Sequence, residues 1–241
     1  MTAVTLHRDG RALTECKPFT WSYSKLKNYE TCPMRHQELD LKQAWKQDDT
    51  TALDWGDRVH KCAAAYLGKG EELPGDVLDM LEPWTDRIKG TPGTILVERK
   101  YALKRDLSPC GYFDKGVWFR GVADVLKLAD DVALAVDWKT GKIQADSVQL
   151  ALMAACVFAH HPEVMKMRTE FIWLQHDATT REDFARTDLP KIWSELFPRV
   201  DRLESSYNSG TYEPKPNKLC AAYCPVATCI HYGKRYSNPA T

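Results

Sequence analysis

Between Arg120 and Lys142 the chain carries Gly121-Val122-Ala123-Asp124, then Asp130-Asp131, then Val136-Asp137-Trp138-Lys139-Thr140-Gly141. Apolar runs flank Asp130-Asp131, so the sequence predicts a β-hairpin closed by a two-residue loop, and that register sets Asp124 opposite Asp137. Opposed like charges destabilise a strand pair, and Asp-Asp lacks the glycine that the tightest turns favour. Folding alone gives no reason for this arrangement; a bound divalent cation does. Alternation along the strand puts Asp137 and Lys139 on one face and Trp138 on the other. Two acids beside a lysine suit phosphodiester cleavage. The carboxylates would hold Mg²⁺ or Mn²⁺, which polarises the phosphate and acidifies water, while the ammonium positions that water or meets the charge developing on phosphate. A solvated turn with charged strand ends is the bland alternative. Against it, Val132 to Val136 is a continuous apolar run, as in a strand buried on both faces, and it ends on Asp137.

Three further residues are candidates for the same site. His60 falls on the inward stripe of a helix predicted from Thr51 to Leu67, with Leu53, Gly56, Val59, Ala63 and Leu67, and with Gly68 as its stop. Alone, such a histidine reads as a hydrogen-bonded core residue; beside the acidic hairpin, its imidazole would complete a mixed nitrogen and oxygen coordination set. Glu98 is either another acid of the site or an exposed strand position near Arg99 and Lys100. Gln149 follows Lys139 by ten residues, where it caps a helix or touches the site or a DNA phosphate.

A second chemical signal is Cys220-Ala-Ala-Tyr-Cys224-Pro-Val-Ala-Thr-Cys229, following Pro214-Lys-Pro-Asn217. Cysteines that pack a helix recur inside apolar runs, as Cys62 and Cys156 do, and not in a proline-flanked loop. Three thiolates need a fourth ligand. Cys32, which also precedes a proline, or the local His231 could supply it, and the soft ligands suit an iron–sulfur cluster or zinc. Cys16 and Cys110 have no evident role.

The elements expected to position these residues form a mixed α/β order. A short helix capped by Ser22 or Ser24 carries Leu26 and Tyr29 and stops at Cys32-Pro33. Helices follow over Thr51–Leu67 and Val77–Ile88, then strands over Thr94–Leu103, Val117–Leu128 and Val132–Lys139. A helix apolar nearly all round spans Ala145–His160, strands cover Arg168–His176 and Arg181–Arg186, and an amphipathic helix spans Leu189–Tyr207. The expected organisation is a single domain over 1–241: a helical part over about 20–90, a core over about 94–187, and a C-terminal helix and cysteine segment over about 188–241.

With 241 residues, 44% of them hydrophobic, the chain can bury a full core. Its formal net charge of zero argues against tight static DNA binding and for a transient enzymatic grip through locally clustered basic groups. Met1 to Glu15 has no apolar signal region, and Leu150 to Ala159 is too short to span a membrane. A cytoplasmic location without membrane contact is therefore expected, where eight cysteines argue for metal ligation and core packing before disulfides.

Taken in order, Ser22-Tyr-Ser-Lys-Leu-Lys-Asn-Tyr-Glu-Thr-Cys-Pro33, Gly56-Asp-Arg-Val-His60, Gly121-Val-Ala-Asp124, Asp137-Trp-Lys139-Thr-Gly141, Gln149 and the C-terminal cysteines resemble the RecB-type branch of the PD-(D/E)XK nucleases. The likeness is to the iron–sulfur members, the CRISPR-associated RecB-like exonucleases and the AddB nuclease domain. It implies a restriction-endonuclease-like core, a central mixed sheet flanked by helices. It implies that His60, Asp124, Asp137 and the backbone carbonyl of Trp138 ligate Mg²⁺ or Mn²⁺, that Lys139 is the catalytic lysine, and that Cys32, Cys220, Cys224 and Cys229 hold a structural 4Fe–4S cluster tying the two ends of the domain together. Two positions depart from the family pattern. Met153 stands where a tyrosine commonly follows the glutamine by four, and Cys224 lies four residues after Cys220 rather than three.

The expected function is a DNA exonuclease acting on single-stranded or frayed ends in recombination, repair or phage DNA processing, with a helicase, recombinase or integrase as a possible partner. Rival readings are a spacer-processing subunit of a CRISPR adaptation complex and a non-catalytic DNA-binding scaffold.

Overall fold

The computed structural model describes residues 18–45, 51–144 and 147–236. Met1 to Glu15 and Cys16 lie outside them. In chain order, α1 (Tyr23–Thr31), α2 (Pro33–His36), α3 (Thr51–Lys69) and α4 (Leu78–Lys89) precede β1 (Thr94–Leu103), β2 (Pro109–Cys110), β3 (Phe119–Ala129) and β4 (Val132–Lys139). Then come α5 (Val148–His160), β5 (Lys166–Trp173), β6 (Ala178–Ala185) and α6 (Leu189–Ser209). Among the described residues the strands form one sheet in the order β2-β1-β3-β4-β5-β6, parallel between β4 and β5 and antiparallel elsewhere. Parallel neighbours need a crossover, and the buried helix α5 supplies it.

The β3–β4 hairpin has the predicted register. Ala129 pairs with Val132, and the ladder runs to Val125 opposite Val136, so Asp124 and Asp137 occupy its next position. Asp130 takes the left-handed conformation (φ 50°), which aspartate tolerates in place of the missing glycine. The Asp131 carbonyl accepts the Met165 amide at 2.7 Å, fastening this turn to the entry of β5.

Two apolar layers cover the sheet. On one face Ala133 and Ala135 of β4 pack with Leu152, Cys156 and Phe158 of α5 and with Ile192, Trp193, Leu196 and Val200 of α6. On the other, Val136 and Trp138 pack with Val59, Ala63 and Leu67 of α3 and Leu81 and Ile88 of α4. This alternation along β4 sends Asp137 toward the α5 side. Arg186 closes the end of the crossover, donating to the carbonyls of Phe158, His161 and Val164 at 2.8, 2.6 and 2.6 Å. Lys127, 4% exposed, donates to the carbonyls of Ile88 and Thr91 and so satisfies the C-terminal end of α4.

Several predicted elements shift. α3 passes through Gly68 and ends before Gly70, whose φ of 73° turns the chain. Leu53 is not on the buried stripe; it is 63% exposed, because the first turns of α3 border an open cavity and burial starts only at Val59. β5 begins at Lys166 and stops at Trp173; Leu174–His176 form a 3₁₀ turn, and left-handed Asp177 (φ 45°) folds the chain straight into β6 at Ala178. β3 begins at Phe119 rather than Val117, and the first described helical residue of α5 is Val148, residues 145–146 lying outside the description. α2, the π-helical turn Gln37–Leu41 and the two-residue β2 that contains Cys110 are elements that no sequence pattern marks.

Candidate active site

The mouth of the site lies where β3 and β4 run out of ladder. Asp124 and Asp137 are both buried, 8% and 4% exposed, so neither is a solvated strand end. Asp124 Oδ2 accepts the backbone amide of Trp138 at 2.9 Å. Asp137 Oδ1 accepts from Gln149 Nε2 at 2.5 Å, and its Oδ2 lies 2.6 Å from Lys139 Nζ. Lys139 also donates to Gln149 Oε1 at 2.9 Å and sits 4.7 Å from the centre of the Phe171 ring. Burial, and then the charge of Asp124, push the Asp137 carboxyl from an ordinary 3.8 up to about 6.

His60 approaches from α3. Its Nε2 lies 3.0 Å from the Trp138 carbonyl and its Nδ1 3.2 Å from Asp124 Oδ2. Both ring nitrogens therefore face oxygen acceptors. Burial pulls the imidazole toward neutrality, but the Asp124 contact outweighs it, and the net shift is upward. A carboxylate oxygen and a carbonyl oxygen thus converge on one imidazole. Gly56, one turn earlier, permits the approach of the loop after β4, since a Cβ there would lie 3.2 Å from Thr140 Oγ1.

Glu98 sits on β1 between the pairs Val97–Val125 and Arg99–Ala123, which puts it across the ladder from Asp124. It is exposed, as the bland reading expected, yet one donor atom each from His60, Glu98 and Asp124 lie within 4.8 Å of one another. Its φ of 49° is unusual inside a strand, and burial together with Asp124 raises its pKa.

The structure thus brings together His60, Asp124, Asp137, the Trp138 carbonyl, Lys139 and Gln149 around one cavity of about 510 Å³. These donors fit a hard divalent cation: carboxylate and carbonyl oxygens with one imidazole, and Glu98 within reach of two of them. Tyr23, Lys27, Phe171 and Trp173 also line the cavity, and sequence reasoning did not name them. Alternation puts Phe171 and Trp173 on one face of their strand, but only the parallel pairing of Asp137 with Phe171 and Lys139 with Trp173 carries them to the site.

Cys32, Cys220, Cys224 and Cys229 line one small cavity, with Arg35 and His231 among its other walls. All four are free thiols. Cys32 Sγ accepts the Lys215 amide at 3.4 Å. Burial raises the Cys224 pKa, and nearby Cys32 and Cys220 add to the rise. Among the described residues no three of these sulfur atoms come within 4.8 Å of one another. A single zinc, with Zn–S near 2.3 Å, would need them about 3.8 Å apart. His231 Nδ1 is held 2.6 Å from the Tyr236 hydroxyl.

The PD-(D/E)XK nuclease superfamily pattern matches residues 20–229. A crystal structure described as a "Putative exonuclease" from Eubacterium rectale is similar in fold, with a TM-score of 0.52 at 15% identity over 89% of this chain and 93% of that one. The crystal structure of SSO0001 aligns over 91% of this chain and 88% of that one at 15% identity, with a TM-score of 0.41. No curated protein matches the sequence.

Proposed function

Because this chain belongs to the PD-(D/E)XK nuclease superfamily, we propose that it is a Mg²⁺- or Mn²⁺-dependent DNA exonuclease acting on single-stranded or frayed ends. The observation that carries this reading is the pair of buried carboxylates on adjacent strands, one facing His60 and the other facing Lys139 and Gln149. His60, Asp124, Asp137 and the Trp138 carbonyl are the assigned ligands, and Glu98 is near enough to add to them. A divalent ion held there supplies positive charge against the scissile phosphate and acidifies water.

The chain's own groups do the remaining work. Gln149 bridges Asp137 and Lys139 and fixes the lysine side chain. The Lys139 ammonium stabilises the charge that gathers on the phosphate oxygens as a water oxygen bonds to phosphorus and the ester bond breaks. Phe171 and Trp173 wall one side of the cavity and limit access of bulk water. The intact set of His60, Asp124, Asp137 and Lys139 favours catalysis over a scaffold role.

We assign Cys32, Cys220, Cys224 and Cys229 to a 4Fe–4S cluster that joins the helical N-terminal part of one RecB-like domain to its C-terminal segment. The shared cavity, which brings Cys32 to the three C-terminal thiols, and the Lys215 amide on Cys32 support this choice. DNA is the substrate. Roles in recombination, repair or phage DNA processing, beside a helicase, recombinase or integrase, fit this chemistry. No described helix is long and apolar enough to cross a membrane.

The test is degradation of 5′- and 3′-labelled linear DNA beside a circular single strand, with Mg²⁺, Mn²⁺ or EDTA. Linear strands are expected to shorten from an end in metal and to survive in EDTA, with the circle intact. Cutting of the circle would overturn the exonuclease assignment, and cutting in EDTA the metal requirement.

A further inference from the structure

Beside the catalytic cavity lies a second one of about 310 Å³, and the two share Tyr23, Val122 and Gln149 as walls. The second cavity opens along β3 toward Arg120 and Tyr112. At its rim the loop between β2 and β3 presents Tyr112 and Phe113, with ring centres 5.1 Å apart at 79°. Phe113 is 81% exposed, which folding does not require of a large apolar side chain. Cations frame this pair. Lys100 Nζ lies 5.6 Å from the centre of each ring, and the Arg120 guanidinium lies 5.4 Å from that of Tyr112. The ledge is also rigid: Arg120 Nε donates to the Tyr112 carbonyl at 2.8 Å, and the Gly111 amide donates to Asp114 Oδ2 at 2.8 Å to close the turn.

An exposed ring beside a half-buried one, framed by cations and continuous with the proposed phosphodiester site, matches one ligand chemistry. We infer that Tyr112 and Phe113, with Lys100 and Arg120, form a stacking ledge that holds the unpaired bases of a single DNA strand leading into the catalytic cavity. From Asp124 back to Arg120 is four residues of extended strand, about 13 Å. That is the rise of about four stacked nucleotides. The rings receive base faces and the cations meet the flanking phosphates, a combination that accepts any sequence and rejects paired bases, whose faces are already covered. The inference rests on the nuclease reading for its orientation, but the ledge binds without chemistry.

The experiment is fluorescence anisotropy of labelled oligo-dT of 12 nucleotides, in EDTA at low salt, with the full-length protein. Phe113→Ala is expected to weaken binding about tenfold, the loss of one stacked base, and Phe113→Trp to preserve it. Affinity for a blunt 12-base-pair duplex should differ from that of the wild type by less than twofold in either variant. The ledge is overturned by a Phe113→Ala change under twofold on oligo-dT, by an equal loss on duplex, or by a wild type that binds no oligo-dT. Because no catalysis is read, a wild type that fails to cleave DNA would sink the nuclease assignment while leaving this result to stand by itself.

Discussion

Asp137→Asn should make the metal-free protein more stable above pH 6, with the gain shrinking toward zero as pH falls below about 4. In the folded protein, burial and Asp124 raise the Asp137 carboxyl from 3.8 to about 6. A raised carboxyl pKa means that the folded state holds the proton more tightly than the unfolded state does. Well below pH 3.8 both states are largely protonated and the site is neutral in its effect. As pH rises from about 4 to about 6 the penalty grows, and above that it is complete. Each tenfold is worth about 1.4 kcal/mol, so ionised Asp137 costs about 3 kcal/mol at pH 8. Asparagine keeps an acceptor for Gln149 and loses the ion pair with Lys139, whose attraction is already contained in that pKa. Urea unfolding in EDTA at pH 8 and at pH 4.5 measures both values, and the expected gain is about 2–3 kcal/mol at pH 8 against about 1 kcal/mol at pH 4.5. A loss of stability at pH 8, or a gain of the same size at both pH values, would refute the reasoning.

Other perturbations follow from the same geometry. A divalent ion bound only by the folded state at a hundred times its Kd adds about 2.7 kcal/mol; Mg²⁺ should raise the wild-type unfolding midpoint and leave that of Asp124→Asn unmoved, which thermal melts would check. Arg186→Ala strips the side chain that satisfies the carbonyls of Phe158, His161 and Val164 and should cost about 3 kcal/mol in urea unfolding; a cost under 1 kcal/mol would mean that water replaces it. Cys229→Ser should lose visible absorbance after anaerobic purification together with stability, whereas an unchanged spectrum with stoichiometric zinc would favour the Cys₃His site. Gln149→Ala should lower kcat about tenfold through a misplaced Lys139, with KM nearly unchanged, and steady-state kinetics would separate the two.

The sequence made the hairpin legible because its register needs only a turn position and the two-residue period, and both are local. Val132–Lys139 and Thr94–Leu103 form with their predicted bounds for the same reason. Gln149 and His60 could be placed on helices, but the contacts they make depend on how α5 and α3 pack against the sheet. Phe171 and Trp173 escaped notice because the parallel pairing of β4 with β5 is not local. Leu53 misled because helical periodicity says which residues share a face and not how far the sheet beneath extends. The contact of buried His36 with half-buried Asp40, 2.7 Å apart, escaped because polar residues in a short helical turn ordinarily face solvent.

The most direct measurement of the central claim is hydrolysis of 5′-labelled single-stranded DNA by wild type and Lys139→Ala, each with Mg²⁺ and with EDTA. The account predicts cleavage by the wild type in Mg²⁺ and none in the other three combinations, with the variant still folded and still binding DNA. Full cleavage by Lys139→Ala would contradict it.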